Sequence, residues 1–307
     1  MKVSHLAILS VVILACMGIF FTILPKQPLS QNGRQWDSKI DTTSDKFLNS
    51  VSQCYFTLWF GPVSYRRMAF FQWNSRHFNF TVLSNDIDPH TTGLRVQTVN
   101  ETEVYNLYNV CISSALYSNA RYERAHRSDL LRIYYAYALN CAYIDSDIIM
   151  LEEMPQPPWL VYTYYWPPLK ILNGALAIDE AFFNQYRALV AQHYDPNCWT
   201  CVGSALFEKV LPKILLRHYT LYSDQFLLCL IGDANGWNWA TTSAPVHYIP
   251  DCKSMHVGGK TFTQRLPVDA PIVKILCNPD CNSLLFLQRR QYECSSNCNV
   301  EEFVKSG

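Results

Sequence analysis

Residues 127–150 read RSDLLRIYYAYALNCAYIDSDIIM, and this stretch predicts a helix that runs directly into a strand. Ser128 suits an N-cap, and Asp129 in the first turn suits the positive end of the helix dipole. Apolar residues then recur at helical spacing. Asn140 suits a C-cap because asparagine tolerates a left-handed conformation. The apolar run 141–144 that follows is long enough for a buried parallel strand.

Two carboxylates, Asp145 and Asp147, stand one residue apart where this strand ends. Like charges this close raise each other's pKa, and burial adds to the cost. A divalent cation removes both problems, and hard oxygen ligands select Mg²⁺, Mn²⁺ or Ca²⁺ rather than zinc. Ligands of open α/β sheets bind at the carboxyl ends of the strands. The spacing therefore indicates either a metal site for an anionic ligand such as a diphosphate, or a hydrogen-bonded turn.

An Asp-x-Asp tripeptide is a weak signal by itself, because about one is expected by chance at this aspartate content. A second copy does occur at Asp86-Ile87-Asp88. The Pro89 that follows it predicts a loop with a solvated turn.

The rest of the chain alternates between strand and helix patterns. A β-favouring aromatic run at 54–60, a helix capped by Ser64 and a strand at 78–83 form a βαβ unit, which is typical of a parallel sheet and an α/β fold. The later predicted elements are strands at 159–165, 171–178 and 246–249 and a helix at 180–193.

The compound pattern is Ser128-Asp129-x-x-Arg132 followed, about a dozen residues later, by Tyr143-Ile144-Asp145-Ser146-Asp147. It resembles the sugar-binding region of the DXD glycosyltransferases, the family of globotriaosylceramide synthase, the α-N-acetylglucosaminyltransferases and the fungal initiating α-mannosyltransferases. The resemblance extends over roughly residues 54–260, with strong motifs at 128–150. It implies a GT-A-like, Rossmann-type nucleotide-sugar-binding domain. It also implies a transfer reaction that retains the anomeric configuration of the sugar.

The resemblance also implies a set of catalytic metal ligands. Asp145 and Asp147 would hold Mn²⁺ or Mg²⁺ and would be the catalytic residues. In several related folds a late histidine completes the metal shell, which makes His256 the candidate here, with an ordinary surface-loop histidine as the alternative.

Donor-binding residues follow from the same resemblance. Asp129 and Arg132, which share a helix face, would bind the donor sugar, or would form only a local salt bridge. Trp59 would stack on the nucleotide base, or would be a core residue. Asn173 would bond a sugar hydroxyl or the donor phosphate, or would be a turn residue. Gly203, with Ser204 after it, stands where the family begins a helix with Gly-Pro.

One departure from the family concerns the residues before the central strand. The family has a Gly-Gly pair there, where this chain has Asn140-Cys141. Asparagine replaces glycine well at a left-handed position, whereas cysteine does not. The departure motivates an alternative function, a non-catalytic, membrane-anchored carbohydrate-binding protein on the same scaffold. A third hypothesis is a disulfide-rich interaction protein in which Asp-x-Asp is a turn.

The N-terminal region predicts a membrane anchor. Residues 6–24 are apolar apart from three positions and would span roughly 28 Å as a helix, about one bilayer core. A cleaved signal peptide would have a shorter core and a small-x-small site, so an uncleaved signal-anchor fits better. The predicted organisation is a cytoplasmic tail at 1–5, a transmembrane helix at 6–24, a stem at 25–50, a catalytic domain at 51–270 and a cysteine-rich tail at 271–307.

Twelve cysteines are typical of a protein from an oxidising compartment. Three pairs are close in sequence, and disulfides account for them more simply than zinc, although the sequence does not give the connectivity; these are Cys198/Cys201, Cys277/Cys281 and Cys294/Cys298. Asn79 and Asn100 begin glycosylation sequons. Together these features predict a single-pass type II glycoprotein of the Golgi membrane with a lumenal catalytic domain.

The formal net charge is zero and no basic run occurs, which argues against a nucleic-acid partner. The combined prediction is a metal-dependent hexosyltransferase. Its partners would be a nucleotide-sugar donor, with UDP-hexose as the leading candidate, and a glycan or glycolipid acceptor.

Overall fold

The computed structural model describes residues 53–108, 123–163, 170–195, 197–198, 200–211, 219–224, 253–257, 265–266, 271–277 and 299–305. All of them belong to one compact unit, Ser52–Gly307. The predicted cytoplasmic tail, transmembrane helix, stem and strand 246–249 lie outside the described residues. Among the helices in the described ranges, none combines the length and the apolar character that crossing a bilayer requires.

The elements follow one another in mixed order along the chain. They are β1 Cys54–Leu58, α1 Tyr65–His77, β2 Asn79–Leu83, α2 Pro89–Thr92, β3 Val96–Gln97, α3 Glu101–Leu107, α4 Glu123–Ala138, β4 Ala142–Ile144, β5 Ile148–Met150, β6 Trp159–Thr163, β7 Lys170–Ala177, α5 Glu180–His193, α6 Ser204–Val210, β8 Thr220–Ser223, β9 Ser254–His256, α7 Pro271–Cys277 and α8 Val300–Lys305.

The larger sheet has seven strands in the order β3-β2-β1-β4-β7-β6-β8. Strands β3, β2, β1 and β4 are parallel neighbours, whereas β7 runs antiparallel to both β4 and β6, and β8 is parallel to β6. The architecture is therefore mixed α/β with a parallel-rich sheet. It is compatible with the predicted GT-A-like fold, and β4, which precedes the two aspartates, lies at its centre.

Both faces of the central strands β1, β2 and β4 are covered, since their alternate residues, which point to opposite sides, are buried in two different core clusters. Phe56 and Leu58 of β1 belong to a core cluster that contains residues of α4, α5 and α6. Tyr55 of β1 and Val82 of β2 belong to a second cluster, which includes Phe71 of α1. The sheet is thus held between α1 and the α4–α6 layer, which fixes the ends of its strands.

The predicted βαβ unit is confirmed. The Ser64 side chain accepts a hydrogen bond from the Arg67 backbone N–H, which caps α1, and β1 pairs with β2 in parallel. The second Asp-x-Asp lies in a loop, as predicted. There Asp88 caps α2, and the Asp86 carboxylate accepts a 2.6 Å hydrogen bond from the Gly61 N–H.

The start of the central helix was predicted wrongly. Helix α4 includes Glu123, so Ser128 lies inside it and is not its N-cap, and Asp129 is not in its first turn. Contacts with other elements hold the preceding turn in the helix: Arg127 pairs with Glu101, and buried His126 lies 2.8 Å from the Cys198 carbonyl oxygen. Tertiary packing has overridden the local capping preference of serine.

The end of α4 agrees with the sequence. Asn140 has a φ of 50°, and it is the one non-glycine residue with positive φ in the described ranges. Cys141 does not share that conformation and instead forms a disulfide with Cys54 at the start of β1. Only one of the two positions that are glycine in the family therefore needs a left-handed residue, and asparagine fills it.

A second, two-stranded sheet pairs β5 with β9 in antiparallel register, which sets His256 opposite Ile148. Asn74 of α1 supports β5 by bonding the Ile148 carbonyl and the Met150 N–H, both at 2.9 Å. Helices α7 and α8, which were not predicted, pack beneath this sheet. The small sheet is therefore packed against α1, α7 and α8. It begins directly after Asp147, and its second strand ends at His256.

Candidate functional site

Asp145, Asp147 and His256 meet where β4 ends. Each offers one ligand atom, and these atoms all lie within 4.8 Å of one another. The His256 Nε2 lies 3.2 Å from the Asp147 Oδ1. The Asp145 N–H donates to the Gly174 carbonyl of β7 at 2.7 Å, which fixes the backbone at the start of the turn. The three residues predicted as metal ligands are thus brought together.

The donor set fits a divalent cation, because two carboxylate oxygens and one imidazole nitrogen are all metal ligands. Three protein ligands leave further coordination positions for a ligand or water. Burial disfavours the charged forms of Asp147 and His256, but their attraction outweighs it. The pKa of Asp147 is therefore lowered and the pKa of His256 is raised. The 3.2 Å contact between Asp147 and His256 thus favours the charged form of each group.

Asp145 is held by its own neighbours in the sequence and by α4. Its Oδ1 accepts hydrogen bonds from the Tyr143 hydroxyl at 2.8 Å and from the Ser146 N–H at 3.2 Å. Its Oδ2 lies 3.9 Å from the Arg132 Nη1. The Asp145 carboxylate therefore has a turn-like hydrogen bond on one oxygen and a cation near the other.

Asp129, Arg132 and Asn173 form a network beside this cluster. The Arg132 Nη1 donates to the Asn173 carbonyl at 2.6 Å, and its Nη2 lies 3.3 Å from the Asp129 Oδ1. The Asn173 Nδ2 donates to the same Asp129 oxygen at 2.8 Å. The salt bridge that was the alternative interpretation of Asp129 and Arg132 exists, as part of a buried network that also includes Asn173 and reaches Asp145 through Arg132.

Burial controls the titration of Asp129. Desolvation raises the pKa of its carboxyl group to about 6, because the lowering effects of Arg132 and the Asn173 hydrogen bond do not outweigh it. The Asp129 residue as a whole is only 6% exposed. Keeping it ionised near neutral pH is therefore costly for the fold.

Gly203 explains how these side chains fit together. A Cβ atom at Gly203 would lie 2.7 Å from the Asp129 Oδ2 and 2.9 Å from the Asn173 Nδ2, closer than real Cβ contacts allow. Helix α6 begins directly after it, at Ser204, as predicted. Cys198 and Cys201, a close pair whose connectivity the sequence left open, form a disulfide that closes the preceding turn. Sequence reasoning identified Gly203 as a helix start but missed its contact with Asp129.

Trp59 follows β1 and is half-buried. Its Nε1 donates to the Gly61 carbonyl at 3.0 Å, and its ring meets Phe71 edge-on at 6.0 Å between centroids. The guanidinium carbon of Arg67 lies 4.8 Å from the centroid of the Trp59 ring. Trp59 is therefore neither an isolated surface residue nor a fully buried core residue.

Arg67 was missed by the sequence analysis. It is 8% exposed, and its Nη1 donates to the Ser146 hydroxyl at 3.0 Å, between the two aspartates. Burial lowers the pKa of Arg67, whereas Asp147 and Asp145 raise it. The signal in the sequence was faint: an arginine in the first turn of a core helix, next to the predicted carboxyl end of β1.

No protein-family model matches the chain, and no curated protein sequence matches it either. Among solved structures, the one named "PaToxG Glycosyltransferase" is similar over 53% of this chain and 70% of its own, with 15% identity and a TM-score of 0.40. The neighbour has the name of a glycosyltransferase, but a similarity this distant carries no argument about function. The functional assignment depends on the residues of the site.

Proposed function

We propose that this protein is a glycosyltransferase that moves a hexose from a nucleotide diphosphate sugar, UDP-hexose, to a hydroxyl of a glycan or glycolipid. One observation carries the proposal: Arg132 joins the Asp129–Asn173 network to the Asp145–Asp147–His256 cluster, at the end of a central strand. A sugar-binding set and a metal-binding set in contact are what a nucleotide-sugar donor requires, since its sugar and diphosphate are adjacent.

The charges of the site support an anionic ligand. Asp129, Asp145 and Asp147 contribute three negative charges, and Arg67 and Arg132 contribute two positive charges. With a neutral His256 the site has one net negative charge, and a divalent cation would reverse its sign. The charged site would then attract a diphosphate, in a setting where partial burial strengthens the interaction.

The residues have separate roles in this proposal. Asp145, Asp147 and His256 would hold Mn²⁺, which would supply Lewis-acid stabilisation of the diphosphate leaving group. Asp129, Arg132 and Asn173 bind and orient the donor sugar. Trp59 contacts the nucleotide base, since its half-buried ring offers an aromatic surface near the Ser146 end of the site.

The family resemblance implies retention of the anomeric configuration. The sequence contains no residue that the motifs identify as a nucleophile. We therefore propose that the bond between the anomeric carbon and the phosphate oxygen breaks while the acceptor oxygen bonds to that carbon on the same face of the sugar, and that the departing phosphate oxygen takes the proton of the acceptor hydroxyl. The protein's part is to hold donor and acceptor in that geometry, which alone can supply much of the rate enhancement.

The test combines binding and transfer with the full chain in detergent. A ligand that binds only the folded state, at a hundred times its dissociation constant, adds about 2.7 kcal/mol of stability. We expect a thermal shift with one nucleotide sugar that requires Mn²⁺ and is lost in Asp147→Asn, together with loss of transfer in Asp145→Asn and Asp147→Asn. The second Asp-x-Asp offers matched controls, because Asp86→Asn and Asp88→Asn remove the same charge from exposed positions.

Full transfer by Asp147→Asn would exclude the site. A metal-dependent shift without transfer to any acceptor would instead favour the carbohydrate-binding protein. The conformational reason for that alternative is weak, since Asn140 alone adopts positive φ and Cys141 is bonded to Cys54.

The cellular location is a further part of the proposal. We infer a single-pass type II Golgi membrane protein with its signal-anchor at 6–24 and residues 51–307 in the lumen. The Cys54–Cys141 and Cys198–Cys201 disulfides support an oxidising compartment. Asn100 is an exposed sequon asparagine. We expect Asn100→Gln to remove a glycosidase-sensitive mass from the protein made in cells, and an unmodified wild-type chain would count against a lumenal location.

A further inference from the structure

Two adjacent arginines in the first turn of α1 are buried and serve different parts of the molecule. Arg66 is fully buried and donates to the carbonyl oxygens of Phe303 at 2.9 Å and Val304 at 3.0 Å, so it holds α8. Arg67 contacts Trp59 and Ser146. Burying a guanidinium is expensive unless nearby groups compensate its charge. For Arg66 backbone carbonyls do so, which is a structural role.

Arg67 lies in a different environment. Burial lowers its pKa, and Asp147 and Asp145 oppose this without outweighing it; the proposed function assigns these two groups to a metal ion. Its backbone N–H is bonded to the capping Ser64 side chain at 3.3 Å, which fixes the turn from which it projects. Packing alone does not explain an arginine at this position, because its positive charge would repel the metal ion that the neighbouring cluster is proposed to bind.

The contacts of Arg67 join the two ends of the site. Its guanidinium lies over the Trp59 ring, a favourable cation–π arrangement. The same guanidinium donates through Nη1 to the Ser146 hydroxyl, in the turn between the two aspartates. One rigid, planar group thus connects the proposed base-binding residue with the proposed metal-binding turn.

We propose that Arg67 is a positioning residue that couples the base end of the site to the metal end, a role that rests on the proposed function. By holding Trp59 and Ser146 at a fixed separation, it selects a ligand that carries both a base and a diphosphate, which is a nucleoside diphosphate. With a divalent cation bound at the aspartates, the positive charge of Arg67 would also attract a diphosphate.

This role has a consequence that a packing role lacks. The charge of Arg67 attracts a diphosphate but repels a free divalent cation. Removing the charge should therefore weaken binding of the nucleoside diphosphate while leaving binding of the metal alone unchanged or tighter. Loss of packing would weaken both.

The experiment is calorimetric titration of the full chain in detergent with three probes: Mn²⁺ alone, Mn²⁺ with pyrophosphate and Mn²⁺ with UDP. The variants are Arg67→Met, which removes the charge, Arg67→Lys, which keeps it but loses the planar fork, and Ser146→Ala, which removes the acceptor. Arg66→Lys is the matched control on the same helix turn. Thermal melting of each metal-free variant reports stability separately.

For Arg67→Met we expect about tenfold weaker binding of UDP with Mn²⁺, the size of one lost charge-assisted hydrogen bond, a smaller loss for pyrophosphate and no loss for Mn²⁺ alone. Arg67→Lys and Ser146→Ala should reduce the preference for UDP over pyrophosphate while retaining pyrophosphate binding. Arg66→Lys should lower the melting temperature and leave that preference unchanged.

The outcomes separate the two proposals. If the wild-type protein binds neither UDP nor pyrophosphate with Mn²⁺, the proposed function fails and this role fails with it. If the wild type binds UDP and the Arg67 and Ser146 variants keep its preference over pyrophosphate, the role of Arg67 is refuted and the proposed function stands. If Arg67→Met does not fold, the same preference measured in Arg67→Lys and Ser146→Ala decides.

Discussion

The buried carboxyl group of Asp129 makes a testable contribution to stability. It lies 3.3 Å from the Arg132 Nη2 and accepts a 2.8 Å hydrogen bond from Asn173. Burial nevertheless raises its pKa from 3.8 to about 6. Because the folded state holds this proton more tightly than the unfolded state, the carboxyl group favours folding most at low pH. That advantage is lost as the pH rises through about 6.

The magnitude follows from the size of the shift. A pKa difference of about two units corresponds to about 3 kcal/mol, since each unit is about 1.4 kcal/mol. All of this stabilisation of the folded state is lost once the pH lies well above about 6, the pKa of Asp129 in the folded protein. Part of it is already lost at pH 5, where an unfolded aspartate is ionised, so about 1 kcal/mol should be lost between pH 5 and pH 7.

The assay is urea unfolding of wild type and Asp129→Asn, with a chelator present, at several values between pH 5 and pH 7.5. Asparagine can still accept the Asn173 hydrogen bond but cannot pair with Arg132, which adds an offset that does not change with pH. We expect the stability of Asp129→Asn relative to wild type to increase by about 1 kcal/mol from pH 5 to pH 7. A constant difference, or one that moves in favour of wild type as pH rises, would refute the assigned cause.

Two further predictions concern the scaffold around the site. Gly203→Ala should lower stability by about 1–3 kcal/mol and weaken donor binding, because its Cβ would lie 2.7 Å from the Asp129 Oδ2. The control is Gly174→Ala, whose Cβ would meet its nearest atom at 3.5 Å. Equal melting temperatures for the two variants would contradict the predicted steric clash at Gly203. Replacing Cys54 and Cys141 together by serine should cost about 4–5 kcal/mol, since that disulfide joins residues 87 apart. The same change at Cys198 and Cys201, three residues apart, should cost only about 2 kcal/mol in urea unfolding, and a larger loss there would argue against the entropic origin.

Local signals predicted the elements whose ends are decided locally. Helix α5 was predicted at 180–193 and is found at Glu180–His193, where Asp179 caps it through the Phe182 N–H. Asn140 was predicted as the end of α4 and has the left-handed conformation. Ser128 failed as an N-cap because Arg127 and His126 bond to distant segments, and no local pattern reports such contacts.

The candidate site divides in the same way. Asp145 and Asp147 follow one strand and could be read from a few residues. His256 reaches them only because β9 pairs with β5, so the family resemblance made it a candidate but no spacing in the sequence did. The contact of Arg67 with Ser146 depends on how α1 packs beside β4 and β5, which no spacing in the sequence reports. Chemistry that depends on long-range pairing was therefore guessed or missed.

The two Asp-x-Asp tripeptides of this chain provide an internal comparison. Asp86 and Asp88 are exposed, and their carboxylates bond backbone N–H groups of a loop and a short helix. Asp145 has one such turn-like bond, to the Ser146 N–H, but its other oxygen lies near Arg132.

The side chain of Asp147 is only 14% exposed and is paired with His256. A turn needs none of these buried charges, and burying them opposes folding. The first pair thus has the environment of a solvated turn, whereas the second retains charges whose cost is explained if the cluster binds a cation.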